Sequence, residues 1–115
     1  MSRSLLEFIH HIHDECEYIM KATKNKSYES FIEDETLKRA VVRSLEIIGE
    51  AVKRLDDDFR IQYNQMNWKK IAGTRDVMIH HYFGIDYEIV WDIIKNKIPE
   101  LEQYTSFIIE DLKGD

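Results

Sequence analysis

Apolar residues recur at alternating spacings of three and four along most of this chain, the rhythm that collects them on one face of a helix. Leu5, Ile9, Ile12, Cys16 and Ile19 keep it first, and Ser4-Leu5-Leu6-Glu7 spells a capping box ahead of them. A helix is therefore predicted from Ser4 to Thr23. The polar stretch Lys24-Asn25-Lys26-Ser27 breaks it, and Tyr28 to Ile32 reads as a helical turn. From Asp34 to Leu55 the same rhythm returns through Leu37, Val41, Ser44, Ile48, Ala51 and Leu55, with Gly49 as the one weak helix former. Asp56-Asp57-Asp58 begins a short helix or turn that runs to Asn64. Asn67 is an N-cap for a third main helix from Trp68 to the residue before Gly84, and Gly84 suits the position after a helix end. Asp86 caps a fourth, whose stripe is Val90, Ile94, Leu101, Ile108 and Leu112. Pro99 predicts a kink or break in it around Asn96 to Ile98. No stretch alternates with a period of two. The expected architecture is all-α, a four-helix up-and-down bundle with short extra helical turns, forming one domain over residues 1–115.

Composition narrows what such a bundle can be. Of the 115 residues, 43% are hydrophobic and 33% charged, and the longest apolar runs are a few residues, far short of a membrane span. The N-terminus passes directly into an amphipathic pattern without a secretory signal, so a cytoplasmic location is expected. The lone Cys16 lies on the apolar phase of its helix and reads as a small core residue. A net charge of −6 argues against coating nucleic acid through bulk electrostatics. Positive charge is concentrated in two places, Lys38-Arg39 to Arg43 with Lys53-Arg54, and Lys69-Lys70 to Arg75; each is either a solvated helix face or a local contact for an anion.

The second of these clusters runs into the chemistry. Arg75-x4-His80-x-Tyr82 combines a planar fork of donors suited to phosphate with the side chain that exchanges protons near neutral pH. On a regular helix Arg75 falls in the middle of an apolar sector formed by Trp68, Ile71, Ala72, Met78, Ile79 and Tyr82. Either the arginine is half-buried against an acid such as Glu46 or Glu50, or the stripe faces a second subunit and Arg75 lines a cleft between the two. His80 lies about 140° around the helix from Arg75, so the two meet only if the helix changes pitch or if two protomers contribute to one site. His81, near the predicted helix C-terminus, is accounted for by the dipole alone.

The motif does not stand by itself. Together with Gly84-Ile85-Asp86, Trp91-Asp92-Ile93-Ile94 and Ile98-Pro99-Glu100-Leu101, and upstream with Phe31-Ile32-x-Asp34 and Arg39 to Ala51, it resembles HEPN-domain proteins of the HepT type over nearly the whole chain. The resemblance implies a homodimeric, metal-independent endoribonuclease, the toxin of a toxin–antitoxin pair, with Arg75 and His80 in a cleft at the dimer axis. It implies a minimal nucleotidyltransferase as antitoxin, and Tyr82 as the target of AMP transfer by that partner. RNA is the expected substrate, with Lys69 and Lys70, and Arg39 or Arg43, as outer contacts; no cofactor and no membrane partner are expected.

Two other readings fit some of the residues. Glu7-x-x-His10 within His10-His11-x-His13-Asp14 is half of a ferritin-like di-metal set, but neither His80 nor His81 has a glutamate three residues before it, and no metal is assigned. A helical dimer could also grip a nucleotide, or serve as partner subunit of a nucleotidyltransferase, without cutting RNA. No partnered serine or cysteine nucleophile and no phosphate-cradling glycine loop is recognisable.

Overall fold

The apolar stripe of the first segment is the inner face of a 20-residue helix, α1, spanning Arg3–Ala22. In the computed structural model, which describes residues 3–78 and 84–114, Ile9, Ile12, Cys16 and Ile19 of this helix are all fully buried. Removing one such side chain from water contributes about 1.5–3 kcal/mol, and these four are what α1 brings to the core. Asn25, at φ 62°, turns the chain back. Ser27 then caps α2, Tyr28–Glu33, through reciprocal bonds with Ser30. Asp34 ends that turn and starts the next helix: its side chain accepts from the Leu37 backbone N–H at 3.0 Å, opening α3, Glu35–Lys53.

The elements that follow α3 are short. Asp56 caps α4, Asp57–Gln62, and Asn67 caps α5, Trp68–Ala72, each by accepting a backbone N–H in the first turn. The third predicted helix is divided here. It stops at Gly73 and resumes as α6, Thr74–Met78. The Thr74 hydroxyl donates to the Ile71 carbonyl at 2.7 Å and Asp76 N–H returns to Gly73 O at 3.0 Å, local bonds that replace the regular ladder. Beyond the undescribed residues, Gly84 adopts φ 87°, the left-handed conformation expected of it. Asp86 caps α7, Tyr87–Asp92, by accepting from Glu88 and Ile89 N–H.

Pro99 leaves its mark upstream of itself. Between α7 and α8, Ile98–Lys113, the chain runs through one wide π turn over Ile93–Lys97, with Ile98 N–H donating to Ile93 O. Proline then occupies the first turn of α8, where its missing N–H costs nothing. The predicted interruption is thus absorbed without ending the helical path.

α1 packs on both α3 and α8, α3 carries α5 and α6 on another side, and α6 touches α7. The five stripe positions within α3 are buried, Ser44 among them, as are Leu55 just past its end and Val90, Ile94, Leu101 and Ile108 of the last stripe. Gly49 sets the α3–α5 spacing: a Cβ there would stand 3.5 Å from Ala72 O. Trp68 locks α5 to the preceding loop, its Nε1–H donating to Tyr63 O at 2.7 Å in the interior. The described residues thus form an all-α fold whose main layers are α1, α3, α8 and the α5–α7 segment.

A candidate phosphate-binding site on α6

Arg75 sits in the second residue of α6, and the break at Gly73–Thr74 decides where it points. An unbroken helix would have turned it into the apolar sector with Trp68 and Met78, which are both buried. Instead its side chain is 63% exposed, and Ile71 and Ala72 are half-buried beside it. Its Nε lies 4.0 Å from Oε2 of Glu46 on α3, so the acid anticipated as a partner is the one that faces it. At that distance and exposure the pair is worth no more than about 1 kcal/mol. The guanidinium therefore keeps donors available to an anion while Glu46 biases its direction. The alternative of a half-buried arginine neutralised by its acid does not describe this arrangement.

His80, His81 and Tyr82, and Ile79 of the predicted apolar sector, lie outside the described residues. The chain that flanks them is closed at its base, since Asp86 N–H donates to Met78 O at 2.7 Å.

At Thr74, the residue before Arg75, a groove of about 450 Å³ opens between α3, the α5–α6 pair, the α7–π segment and the start of α8. Leu45, Ile48, Ile71 and Leu101 form its apolar floor, and Thr74, Lys70 and Lys97 stand along it with Asp92 and Glu100. Of the two lysines anticipated as outer contacts, Lys70 lines this groove, whereas Lys69 is exposed one position away without lining it. Arg39 and Arg43 are exposed on α3, on the stripe that continues to Glu46. Lys97 was not among the charge clusters visible in the sequence. It ends the π turn and lines the same groove as Lys70, and its own neighbours in sequence gave no signal of that.

Cys16 is fully buried, and burial together with the negative charges of Glu102, Glu15 and Glu17 pushes its thiol far above the ordinary range. A thiol so disfavoured as thiolate is no nucleophile, in keeping with its reading as a core residue.

The family description "Ribonuclease HepT-like" matches residues 12–108. The chain belongs to the ribonuclease HepT-like family. An RNase by name from Caldanaerobacter subterraneus subsp. tengcongensis is 48% identical over 106 residues, covering 92% of this chain and 95% of its own. Another RNase by name, from Methanocaldococcus jannaschii, is 44% identical over 108 residues, with 94% and 89% of the two chains covered. A ribonuclease HepT by name from Thermococcus cleftensis is 37% identical over 102 residues, 89% of this chain and 93% of its own. No solved structure gives a significant match. Membership in this family agrees with the resemblance read from the motifs and with the all-α, HEPN-like fold. Among the described residues no helix is long and apolar enough to cross a membrane.

Proposed function

We propose that this protein is a metal-independent endoribonuclease, acting as a cytoplasmic homodimer and as the toxin of a toxin–antitoxin pair. The observation that carries the reading is Arg75, exposed on α6 and held only loosely by Glu46, one residue from Thr74 of a groove that Lys70 and Lys97 line, in a chain matched over residues 12–108 by the ribonuclease HepT-like family. The RNase names of its relatives point to the same activity.

In this reading Arg75 and His80 of two protomers share one cleft. His80 of one protomer takes the proton from an RNA 2′-hydroxyl. The 2′-oxygen then forms a bond to the adjacent phosphorus, and the bond from phosphorus to the 5′-oxygen breaks. His80 of the other protomer protonates that leaving oxygen, giving a 2′,3′-cyclic phosphate and a 5′-hydroxyl. Arg75 neutralises the charge that builds on the phosphoryl oxygens, for which an exposed planar fork of donors is suited. Lys70, and with it Lys69, would hold the strand to either side.

AMP transfer to Tyr82 by a nucleotidyltransferase antitoxin would place a bulky anion near Arg75, occupying the phosphate position and excluding RNA. Incubation of the purified dimer with RNA in excess chelator tests the catalytic part: cleavage should persist, and should be lost in Arg75→Ala and in His80→Ala. Binding of RNA without cleavage would instead support the non-catalytic partner subunit. Modification and neutralisation by the antitoxin should fail on Tyr82→Phe, and full neutralisation of that variant would remove Tyr82 as the switch.

A further inference from the structure

The seam between α1 and α8 holds a second constellation that RNA cleavage does not use. His13 and Glu17, one turn apart on α1, and Glu102 on α8 bring one nitrogen and two carboxylate oxygens to within 4.8 Å of one another. The orientation of His13 is built in. Thr105, fully buried on α8, donates its hydroxyl proton to the Leu101 carbonyl at 2.9 Å. Its oxygen is then an acceptor, and His13 Nδ1 stands 3.1 Å from it. With the Thr105 proton given to a carbonyl, Nδ1 is the ring nitrogen that donates to it. Nε2 is left with its lone pair facing Oε1 of Glu17 at 3.2 Å, a lone pair against a carboxylate. Glu102, half-buried, has no side-chain hydrogen bond or ion pair among the described residues. Of the three, Glu17 and Glu102 line an open depression of about 790 Å³, together with Asp14, Lys21 and Lys24.

Such an arrangement offers three donors to a cation between the groups. A proton on Nε2 would satisfy His13 and Glu17 and leave Glu102 unmatched. A divalent ion satisfies all three. We propose that His13 Nε2, Glu17 and Glu102 bind one zinc ion, with a water completing a tetrahedral shell and Thr105 as the residue that positions His13. Imidazole with carboxylates is a donor set that zinc accepts, and a histidine that gives its other N–H to an oxygen is the usual supporting arrangement. The ligand atoms of a tetrahedral zinc stand roughly 3.4 Å apart, within reach of rotation of the two flexible glutamates. The ion would clip α1 to α8. The role we assign to it is structural.

Zinc titration of the full-length, metal-stripped protein against a chromophoric chelator tests the site, with thermal melting read in parallel. One zinc per chain is expected, together with a higher melting temperature. Glu102→Gln and His13→Ala should each weaken binding by at least about tenfold, and Thr105→Val by about 10–100-fold through loss of the fixed tautomer. The double variant His10→Ala/His11→Ala, which removes two exposed histidines from the same helix, should bind as the parent does. The proposal is overturned if the parent takes up no zinc at micromolar concentration, if either Glu102→Gln or His13→Ala binds with unchanged affinity, or if binding is lost with His10 and His11. Glu102→Gln keeps size and shape, so an altered affinity there is not a folding defect.

Discussion

An arginine serves a phosphate best when its donors are not already spent, and Arg75 illustrates how little separates a structural from a functional guanidinium. Its 4.0 Å contact with Glu46 and its 63% exposure leave it directed but not neutralised. Arg75→Ala is expected to lower RNA cleavage by at least about 100-fold, the scale of a lost transition-state donor, while changing stability by no more than about 1 kcal/mol. Arg75→Lys should recover only part of the rate, because an ammonium cannot reproduce the planar fork. Cleavage rates measured beside thermal melts separate the two effects. At the same scale, Cys16 should resist alkylation by iodoacetamide in the native protein and react once the chain is unfolded in denaturant, since burial and neighbouring carboxylates hold its thiol protonated. The residue types at these positions were legible in the sequence. The exposure of Arg75 was not, because helical phase was carried through Gly73 as though the ladder continued.

Among the elements, the crossing of α3 with α5 is the joint on which the position of α6 depends. Gly49 lies in that crossing, with Ala72 O 3.5 Å and Ile71 O 3.9 Å from where its Cβ would be. These are ordinary contact distances, so Gly49→Ala should fold normally and gain up to about 1 kcal/mol from helix propensity. Gly49→Leu has no room and should lose about 1–3 kcal/mol while also reducing cleavage, since it pushes α5, and with it α6, away from Glu46. Denaturant melts of the two variants give the sign, and parallel cleavage rates show whether the joint positions the site. Capping residues made most element starts readable: Ser27, Asp34, Asp56, Asn67 and Asp86 each accept a first-turn N–H where the sequence offers Ser, Asn or Asp ahead of an apolar rhythm. What the rhythm hid was the division at Gly73–Thr74 and the π turn before Pro99. Both are local exchanges of one hydrogen bond for another, and a hydrophobic period does not register them.

For the whole molecule, a net charge of −6 means that RNA must be met at a small positive patch and not by the surface at large. If each active site needs His80 from both protomers, subunits carrying His80→Ala should poison their partners. Mixing equal amounts of parent and His80→Ala chains, with time to exchange subunits, should leave roughly a quarter of the parent activity at constant total protein, where independent sites would leave half. Light scattering on the same samples would show whether the mixture is dimeric throughout.

The fold class, most of the places where helices start, and the residues able to carry phosphate and proton chemistry were legible in the sequence alone. Periodicity, caps and side-chain chemistry are properties of neighbouring residues, and they survive without any knowledge of what packs on what. Tertiary structure decided that Glu46 faces Arg75, that Lys97 joins Lys70 along one groove, and that Thr105 orients His13 toward Glu17 and Glu102. Each of these joins residues far apart in the chain, and only the crossing of helices fixes the distances between them.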